Sequence, residues 1–208
     1  MIIHDQCEQG SPEWHVLRSG LISASSAGEI FTPTGKPATG AKVENYINRL
    51  IAERVMGKPV ESGYTSAAME RGHEIEVDAR SWYEMAKGVD VTQVAMIQSG
   101  DYSCSPDGLI FADGELVKGL EIKSPLAHTQ VSYLMKNQIP TQYIPQLQVS
   151  MYVSGLSDWD FLAYHPDLDP MLLTCNVDYE WLDGFFQVAE KVLAKVLEGV
   201  EQLQARAA

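Results

Sequence analysis

The middle of the chain carries the pattern of a β-hairpin, and this pattern restricts the fold more than any other part of the sequence. Apolar residues run from Leu109 to Phe111, Asp113-Gly114 follows, and the stretch Leu116 to Lys123 completes the pattern. Asp-Gly between two strand-like stretches is a strong signal for a tight two-residue turn. The chain must therefore build a sheet around this hairpin.

Patterns on both sides of the hairpin predict helices and further strands. The predicted helices are a short one that Ser11 caps and Gly20 closes, then 22–31, 42–56, 65–87, 126–136, 141–153 and a last one that is capped by Asp178 and ends near Gln204. The predicted strands outside the hairpin are 89–98, 159–164 and 172–177. We expect an α/β (α+β) fold with a central mixed β-sheet flanked by helices, in a single domain over residues 1–208.

Composition excludes several classes of protein. Hydrophobic residues make up 45% and charged residues 21% of the chain, as in ordinary globular domains. No apolar run approaches the roughly 20 residues of a membrane helix. The cysteines, Cys7, Cys104 and Cys175, are too scattered for a zinc or iron–sulfur motif. We expect a cytosolic protein with reduced thiols and no membrane contact.

The net charge of −13 argues against a protein that coats nucleic acid, because such proteins need a basic surface. The charge is unevenly distributed, however. Residues 141–208 contain three basic and ten acidic residues, whereas residues 1–80 contain eight basic and eleven acidic ones. This distribution favours an acidic outer surface with a locally basic cleft.

The strongest candidates for catalytic residues lie on the hairpin. In a strand, Leu120 and Ile122 face one side, and Glu121 and Lys123 face the other. Asp107 lies just before the first hairpin strand. The Glu-x-Lys pattern and the Asp-containing turn are each common in proteins when they occur alone. Phosphodiester hydrolysis, however, needs carboxylates that hold divalent cations, and a lysine can orient or deprotonate the attacking water. Together they suggest a metal-dependent hydrolase.

The register of the hairpin decides whether these groups can meet. A strict two-residue turn at Asp113-Gly114 pairs Asp107 with Leu120, which lies on the wrong face. We therefore predict a bulge or a longer turn, with Gly119 as the position of the bulge. One extra residue shifts the register and puts Asp107 opposite Glu121.

The hairpin motif, Ser105-Pro106-Asp107-Gly108 followed by Leu120-Glu121-Ile122-Lys123, resembles that of the PD-(D/E)xK nuclease superfamily. In particular it resembles the phage lambda exonuclease and YqaJ-like viral recombinase family, the alkaline exonucleases. Further stretches similar to motifs of that family, in the same order, are Trp14-His15-x-x-Arg18-x-Gly20-x-Ile22-x-Ala24-Ser25, Gly72-x-x-x-Glu76-x-x-Ala79-Arg80 and Gln148-x-x-x-Tyr152. The resemblance covers residues 14–152 and implies the restriction-endonuclease-like fold of the superfamily.

The resemblance implies a metal site with one or two Mg²⁺ or Mn²⁺ ions. Asp107, Glu121 and the backbone carbonyl of Ile122 would bind the metal, and Lys123 would position the attacking water. Glu76 would join the metal site directly or through water. Gln148 would hydrogen-bond within the active site. Judged without the family, Glu76 is as readily an exposed helix residue, and a lone glutamine on a helix is usually solvated.

The resemblance also implies contacts with the end of a DNA strand. Arg18, Ser25 and Ser105 would form a pocket for a terminal 5′-phosphate, since a guanidinium and hydroxyl groups suit a phosphate. Met69 would be an apolar wedge that separates the strands. Without the family, Arg18 is a surface charge, the serines are cap or turn residues, and Met69 is a buried core residue.

The function implied is that of a magnesium-dependent 5′→3′ exonuclease. It would act on double-stranded DNA ends and leave a 3′ overhang for recombination by strand annealing. The family further implies a ring-shaped homotrimer around DNA, a single-strand annealing protein as partner, and a phage or prophage protein in the bacterial cytoplasm. Two alternatives remain open: a related endonuclease without the phosphate pocket, and a catalytically silent DNA-binding module.

Overall fold

The computed structural model describes residues 1–60 and 67–207, and the side chains of residues 67–74 and 207 lie outside this description. Its strands are β1 (Ile2–His4), β2 (Ile22–Ser23), β3 (Met96–Ser99), β4 (Tyr102–Cys104), β5 (Gly108–Ala112), β6 (Glu115–Lys123), β7 (Asp158–His165) and β8 (Leu168–Asn176). Its α-helices are α1 (Pro12–Leu17), α2 (Ala41–Met56), α3 (Ala67–Lys87), α4 (Ala127–Lys136), α5 (Ile144–Ser154) and α6 (Tyr179–Ala207). Two short 3₁₀ helices cover Ala24–Glu29 and Thr141–Tyr143.

The strands form two four-stranded sheets, in the orders β1-β3-β4-β2 and β5-β6-β7-β8. Both sheets are mixed, because β2 runs parallel to β4 and β6 runs parallel to β7. The connection from β6 to β7 passes through α4 and α5, as a parallel pair requires. The predicted α+β class with helices around mixed strands is confirmed, but the strands divide into two sheets and not one.

The first sheet is where the sequence predictions differ most from the structure. The predicted helix over residues 22–31 is a two-residue strand followed by a 3₁₀ helix. The predicted strand over residues 89–98 begins only at Met96, and before it Thr92 makes an isolated bridge to Leu109. Strands of two or three residues are too short for an alternating pattern to reveal them. None of the described helices is long and apolar enough to cross a membrane.

The second sheet is buried on both faces. Trp159, Phe161 and Ala163 of β7 belong to the main hydrophobic core. On the opposite face, Leu120 and Leu162 belong to a smaller cluster that α3 covers. Burial on both sides explains why β7 has an almost continuous apolar sequence, as is typical of strands inside a parallel arrangement.

A buried polar network attaches α3 to this sheet. Asp160, on β7, is 1% exposed. It accepts hydrogen bonds from the Tyr83 hydroxyl of α3 at 2.8 Å and from the Thr174 hydroxyl of β8 at 2.6 Å. Lys118 Nζ lies 3.4 Å from the same carboxylate. The network fixes the position of the helix that carries Glu76.

The turn of the hairpin has the predicted two-residue form. Asp113 and Gly114 have φ values of 52° and 82°, and Ala112 pairs with Glu115 across the turn. Positive φ at both central residues is required by the type I′ turn, which explains the Asp-Gly sequence.

Of the two predicted alternatives, a bulge or a longer turn, the structure has the bulge, but at a different residue. Phe111 pairs with Leu116, whereas the preceding residue Ile110 pairs with Lys118, so that Val117 is the extra residue on β6. The predicted position of the bulge, Gly119, is wrong. Exposed residues occupy this end of the hairpin, and an extra residue is easier to place there than beside the buried Gly119.

The bulge gives the predicted alignment of the carboxylates. Gly108 pairs with Leu120, and the same register continued by one residue sets Asp107 opposite Glu121. Gly119 has another role. A Cβ atom added there would collide with three ring atoms of Trp159, so only glycine allows the indole to pack across β6.

Gly119→Ala should therefore destabilise the protein by about 1–3 kcal/mol, because the fully buried Trp159 ring must move. Urea denaturation would measure the loss. The matched control is Gly28→Ala, where the nearest atom to an added Cβ is 3.8 Å away and ordinary contact results. Equal stability of both variants would show that Trp159 adapts without cost.

Candidate active site

Asp107 is held against β6 by two hydrogen bonds. Its backbone N–H donates to the Leu120 carbonyl at 3.1 Å. Its carboxylate Oδ2 accepts from the Ile122 N–H at 2.6 Å. These bonds lie on either side of Glu121 in the sequence, so they set the Asp107 carboxylate beside the residue that it must work with.

Glu121 has a lysine and a glutamine as partners. The Glu121 side chain is 2% exposed, and its Oε1 accepts hydrogen bonds from Lys123 Nζ and from Gln146 Nε2, the latter at 2.6 Å. Lys123 Nζ also lies 5.3 Å from the centre of the Tyr143 ring, a cation–π contact. The structure therefore brings together Asp107, Glu121 and Lys123, the three residues that the sequence singled out.

Burial controls the electrostatics of this group. It raises the pKa of the Asp107 and Glu121 carboxyls above their usual range, and the neighbouring carboxylates add to the shift. Burial acts to lower the pKa of Lys123, but the charges of Glu121 and Asp107 outweigh it and raise that pKa. Lys123 is therefore a protonated hydrogen-bond donor. It lies beside two carboxylates whose negative charge is unfavourable in this buried position.

Glu76 lies next to this group and is connected to it through Arg80. Arg80 Nη2 is 2.6 Å from Glu76 Oε1, and Arg80 Nε donates to the Asp107 backbone carbonyl at 3.2 Å. The negative charge of Glu76 contributes to the raised pKa of Asp107. The sequence alone gives Arg80 no role, because a Glu–Arg pair four residues apart usually lies on a helix surface. Here Arg80 is only 9% exposed.

The donor set fits a hard divalent cation. The carboxylates of Asp107 and Glu121 and the carbonyl of Ile122 are oxygen donors from adjacent backbone, the type that Mg²⁺ and Mn²⁺ prefer. Among the described side chains, those of residues 1–60 and 75–206, no cluster of three or more His, Cys, Asp or Glu could hold a metal ion. Such a site would therefore leave several positions to water, as Mg²⁺ sites usually do.

The glutamine prediction needs a correction. Gln148 Nε2 donates to the Asn176 carbonyl at 2.9 Å, and its Oε1 accepts from the Asp178 N–H at 2.7 Å. Its amide therefore joins the end of β8 to the start of α6. The glutamine that hydrogen-bonds to Glu121 is Gln146. The two residues are on the same helix but point about 160° apart around its axis, so only one of them can face Glu121.

The three residues predicted to bind a phosphate are connected through Trp14. Arg18 Nη2 donates to Ser25 Oγ at 3.2 Å, and the guanidinium carbon lies 4.3 Å from the centre of a Trp14 ring. Trp14 Nε1 donates to Ser105 Oγ at 3.0 Å. Ser105 is two residues before Asp107, so one short segment carries both a residue of the predicted phosphate group and one of the two carboxylates.

A cleft of about 650 Å³ opens beside Arg18. Its polar lining includes Ser23, Ser26, Arg49 and Lys58. With Arg18 included, the charged lining consists of three basic side chains and one acidic one, Glu53, in line with the expected locally basic cleft. Met69 has no described side chain, so its assignment as a strand wedge lies outside what the structure describes.

A family match accounts for this arrangement. Residues 13–157 match the family described as the YqaJ-like viral recombinase domain. The chain belongs to this family. The match contains all four motifs on which the resemblance was based, so that prediction is confirmed.

Solved structures agree with the family. The alkaline exonuclease LHK-Exo from Laribacter hongkongensis matches with a TM-score of 0.81 and 27% identity, over 95% of this chain and 98% of LHK-Exo. The complex of LHK-Exo with dAMP gives the same values, 0.81 and 27% over 95% and 98%. A phage-related exonuclease from Haemophilus somnus 129PT shares the fold, with a TM-score of 0.64 and 11% identity over 90% and 96% of the two chains. Among curated proteins, none matches this chain.

Asp107→Asn should stabilise the protein in EDTA at pH 8, by an amount on the order of 1 kcal/mol. A carboxyl with a raised pKa binds its proton more tightly in the folded state, so stability falls as pH rises from about 4 through the raised pKa. The gain should disappear near pH 4. Thermal melts with the exposed Asp183→Asn as control would measure it, and a lower melting temperature at pH 8 would contradict the argument.

Gln148→Ala should lower the free energy of unfolding by about 1–3 kcal/mol, because it removes the partners of the Asn176 carbonyl and the Asp178 N–H. Gln146→Ala, on the same helix, should cost less because Glu121 keeps Lys123 as a partner. Urea denaturation of both variants is the measurement. The reverse order of stabilities would show that the Gln148 amide contributes little to joining β8 and α6.

Proposed function

We propose that this protein is a Mg²⁺- or Mn²⁺-dependent 5′→3′ exonuclease that digests one strand of double-stranded DNA from its end. The 3′ overhang that remains would serve recombination by strand annealing. The observation that carries the proposal is the meeting of Asp107, Glu121 and Lys123 on the bulged hairpin. This arrangement combines the oxygen donors and the ammonium group that phosphodiester hydrolysis requires.

The residues have separate tasks in this mechanism. Asp107, Glu121 and the Ile122 carbonyl would hold the metal, which when bound supplies Lewis acidity and an acidified water. Lys123, protonated and in contact with Glu121, orients the attacking water and faces the phosphate charge. Gln146 fixes the rotamer of Glu121 through its amide donor.

Arg80 is a positioning residue in the same mechanism. It holds Glu76 with one nitrogen and the Asp107 backbone with another. Glu76 would complete the metal site through water. The bidentate geometry of a guanidinium makes this a rigid link between α3 and the hairpin.

The direction of digestion rests on Arg18, Ser25 and Ser105, which would bind the terminal 5′-phosphate. Arg18 donates to Ser25, and Trp14 links Arg18 to Ser105 near the carboxylates. LHK-Exo, the alkaline exonuclease similar to this chain, forms a complex with dAMP. An exonuclease releases deoxynucleoside monophosphates. The complex therefore supports the proposal that a terminal nucleotide binds beside Arg18, Ser25 and Ser105 in this chain.

The proposal includes a homotrimer that encloses DNA and a single-strand annealing protein as partner. The net charge of −13 supports the enclosure, because an acidic exterior holds DNA poorly unless the basic cleft faces an enclosed duplex. The trimer would keep the enzyme on its substrate between cleavage steps.

The experiment is digestion of linear duplex DNA labelled at either the 5′ or the 3′ end, with Mg²⁺ or with EDTA. We expect the wild type to release the 5′ label first. EDTA and Lys123→Ala should each lower the rate at least about 100-fold, because a positioned acid–base or electrostatic group commonly contributes that factor. The exposed Lys136→Ala is the matched control and should digest at the wild-type rate.

A covalently closed circle of the same sequence separates the alternatives. Cleavage of the circle would indicate an endonuclease. Binding to linear DNA with no Mg²⁺-dependent release from either end would indicate a silent binding module. Either result would overturn the exonuclease proposal.

A further inference from the structure

We propose that Gln9 is a positioning residue for Asp107 and holds the peptide group before this carboxylate in the orientation that cleavage requires. The inference rests on the proposed exonuclease function and deepens it, because it adds a residue to the support of the metal site. Gln9 lies on the loop between β1 and α1, far from Asp107 in the chain. Its contacts with the catalytic turn are visible only in the folded protein.

The first observation is a pair of hydrogen bonds that the Gln9 amide donates. Gln9 Nε2 donates to the Pro106 carbonyl at 2.7 Å and to the Val94 carbonyl at 2.9 Å. An amide nitrogen carries two N–H groups, so both of them are used. Both acceptors are backbone groups outside the strands, and the Gln9 side chain therefore connects two segments that strand pairing does not hold.

The second observation is that the peptide group between Pro106 and Asp107 is held at both of its ends. Its carbonyl oxygen accepts from Gln9, and its N–H donates to the Leu120 carbonyl at 3.1 Å. Because a peptide group is planar, hydrogen bonds at its two ends fix the orientation of its plane. The next peptide group is held through the Asp107 carbonyl, which accepts from Arg80 Nε at 3.2 Å. The direction of the Asp107 side chain is therefore set by backbone contacts on both sides.

The third observation is the place of this peptide group between the two sheets. The chain passes from β4 in the first sheet to β5 in the second through residues 105–107. Strand β6 holds this connection from the second sheet. Gln9 holds it from the first sheet. Its second acceptor, Val94, is followed by Ala95, whose N–H donates to the carbonyl of His4 in β1 at 2.8 Å.

The loop that carries Gln9 also supplies a matched control. Gln9 lines a cleft of about 450 Å³ together with Glu76, the acidic residue expected at the metal site. Gln6, three residues earlier, lines the same cleft. It is exposed, and its side chain hydrogen-bonds near itself in the chain, to the Asp5 N–H and to the His4 ring. A change at Gln6 therefore alters the same cleft without touching the catalytic turn.

The test compares Gln9→Met with Gln6→Met in the digestion of linear duplex DNA, well below the melting temperature of either variant. Methionine has the length of glutamine but no N–H donor, so the peptide group before Asp107 loses one of its two bonds. Gln9→Met should lower kcat about tenfold, the cost of removing a group that orients a metal ligand, and change KM by less than about twofold. Gln6→Met should keep both wild-type values.

Binding of Mn²⁺ to the DNA-free protein, measured by calorimetry, is a second readout that does not depend on cleavage. Gln9→Met should bind Mn²⁺ about tenfold more weakly than the wild type, because the Asp107 carboxylate is no longer held in one direction. Asp178→Ala separates positioning from stability. It removes the cap of α6, where Asp178 Oδ1 accepts from the Trp181 N–H at 2.9 Å, so it should lower the melting temperature and leave kcat and Mn²⁺ affinity unchanged.

Gln9→Glu takes the place of Gln9→Met if the methionine variant does not fold. A glutamate fills the same space but cannot donate when ionised, so it should lower kcat and Mn²⁺ affinity at least as much. Wild-type kcat and Mn²⁺ affinity in the variant measured would overturn the inference, whatever its melting temperature. So would a raised KM with unchanged kcat, which would place Gln9 in DNA binding. A wild type that neither digests DNA nor binds Mn²⁺ contradicts the proposed function itself.

Discussion

The hydrogen bond from the Ile122 amide to the Asp107 carboxylate fixes the geometry on which the rest of the site depends. It joins a residue before β5 to the end of β6 and keeps the two buried carboxylates adjacent, although the charge of Asp107 raises the pKa of Glu121 and that of Glu76 raises the pKa of Asp107. The bond is available only because the bulge at Val117 has shifted the register. Backbone pairing therefore sets the two carboxylates side by side, and the positive charge of Lys123 offsets part of their negative charge.

The same group illustrates a conflict between stability and function. Buried carboxylates with raised pKa values cost folding free energy, and the surrounding structure has to supply it. The polar network around Asp160, the apolar layers on both faces of β7 and the contact of Trp159 with Gly119 all stabilise this sheet. A well-packed scaffold can therefore hold an arrangement that is unfavourable by itself.

Much of the site followed from local sequence patterns. Alternation placed Glu121 and Lys123 on one face, and the mismatch of a strict two-residue turn required a bulge in the hairpin. The division into two sheets could not be predicted in this way, because β1, β2 and β4 contain only two or three residues each. They form through pairing with distant segments, which a local pattern does not record.

Side-chain partners were harder to predict than strand positions. Gln146 and Gln148 have the same chemistry two residues apart, and only the rotation of α5 in the fold decides that Gln146 reaches Glu121. Arg80 has the spacing of a surface ion pair, and its burial under Asp107 depends on how α3 docks on the sheet. In both cases the missing information was the orientation of a helix.

The single extra residue at Val117 limits how the length of this hairpin can change in evolution. Loss of one residue from β6, or gain of one in β5, would turn Asp107 toward the apolar layer under α3 and away from Glu121. A change of two residues would preserve the facing of every side chain. Relatives that keep the site should therefore differ from this chain by an even number of residues in the hairpin. The lengths of their other loops are not restricted in this way.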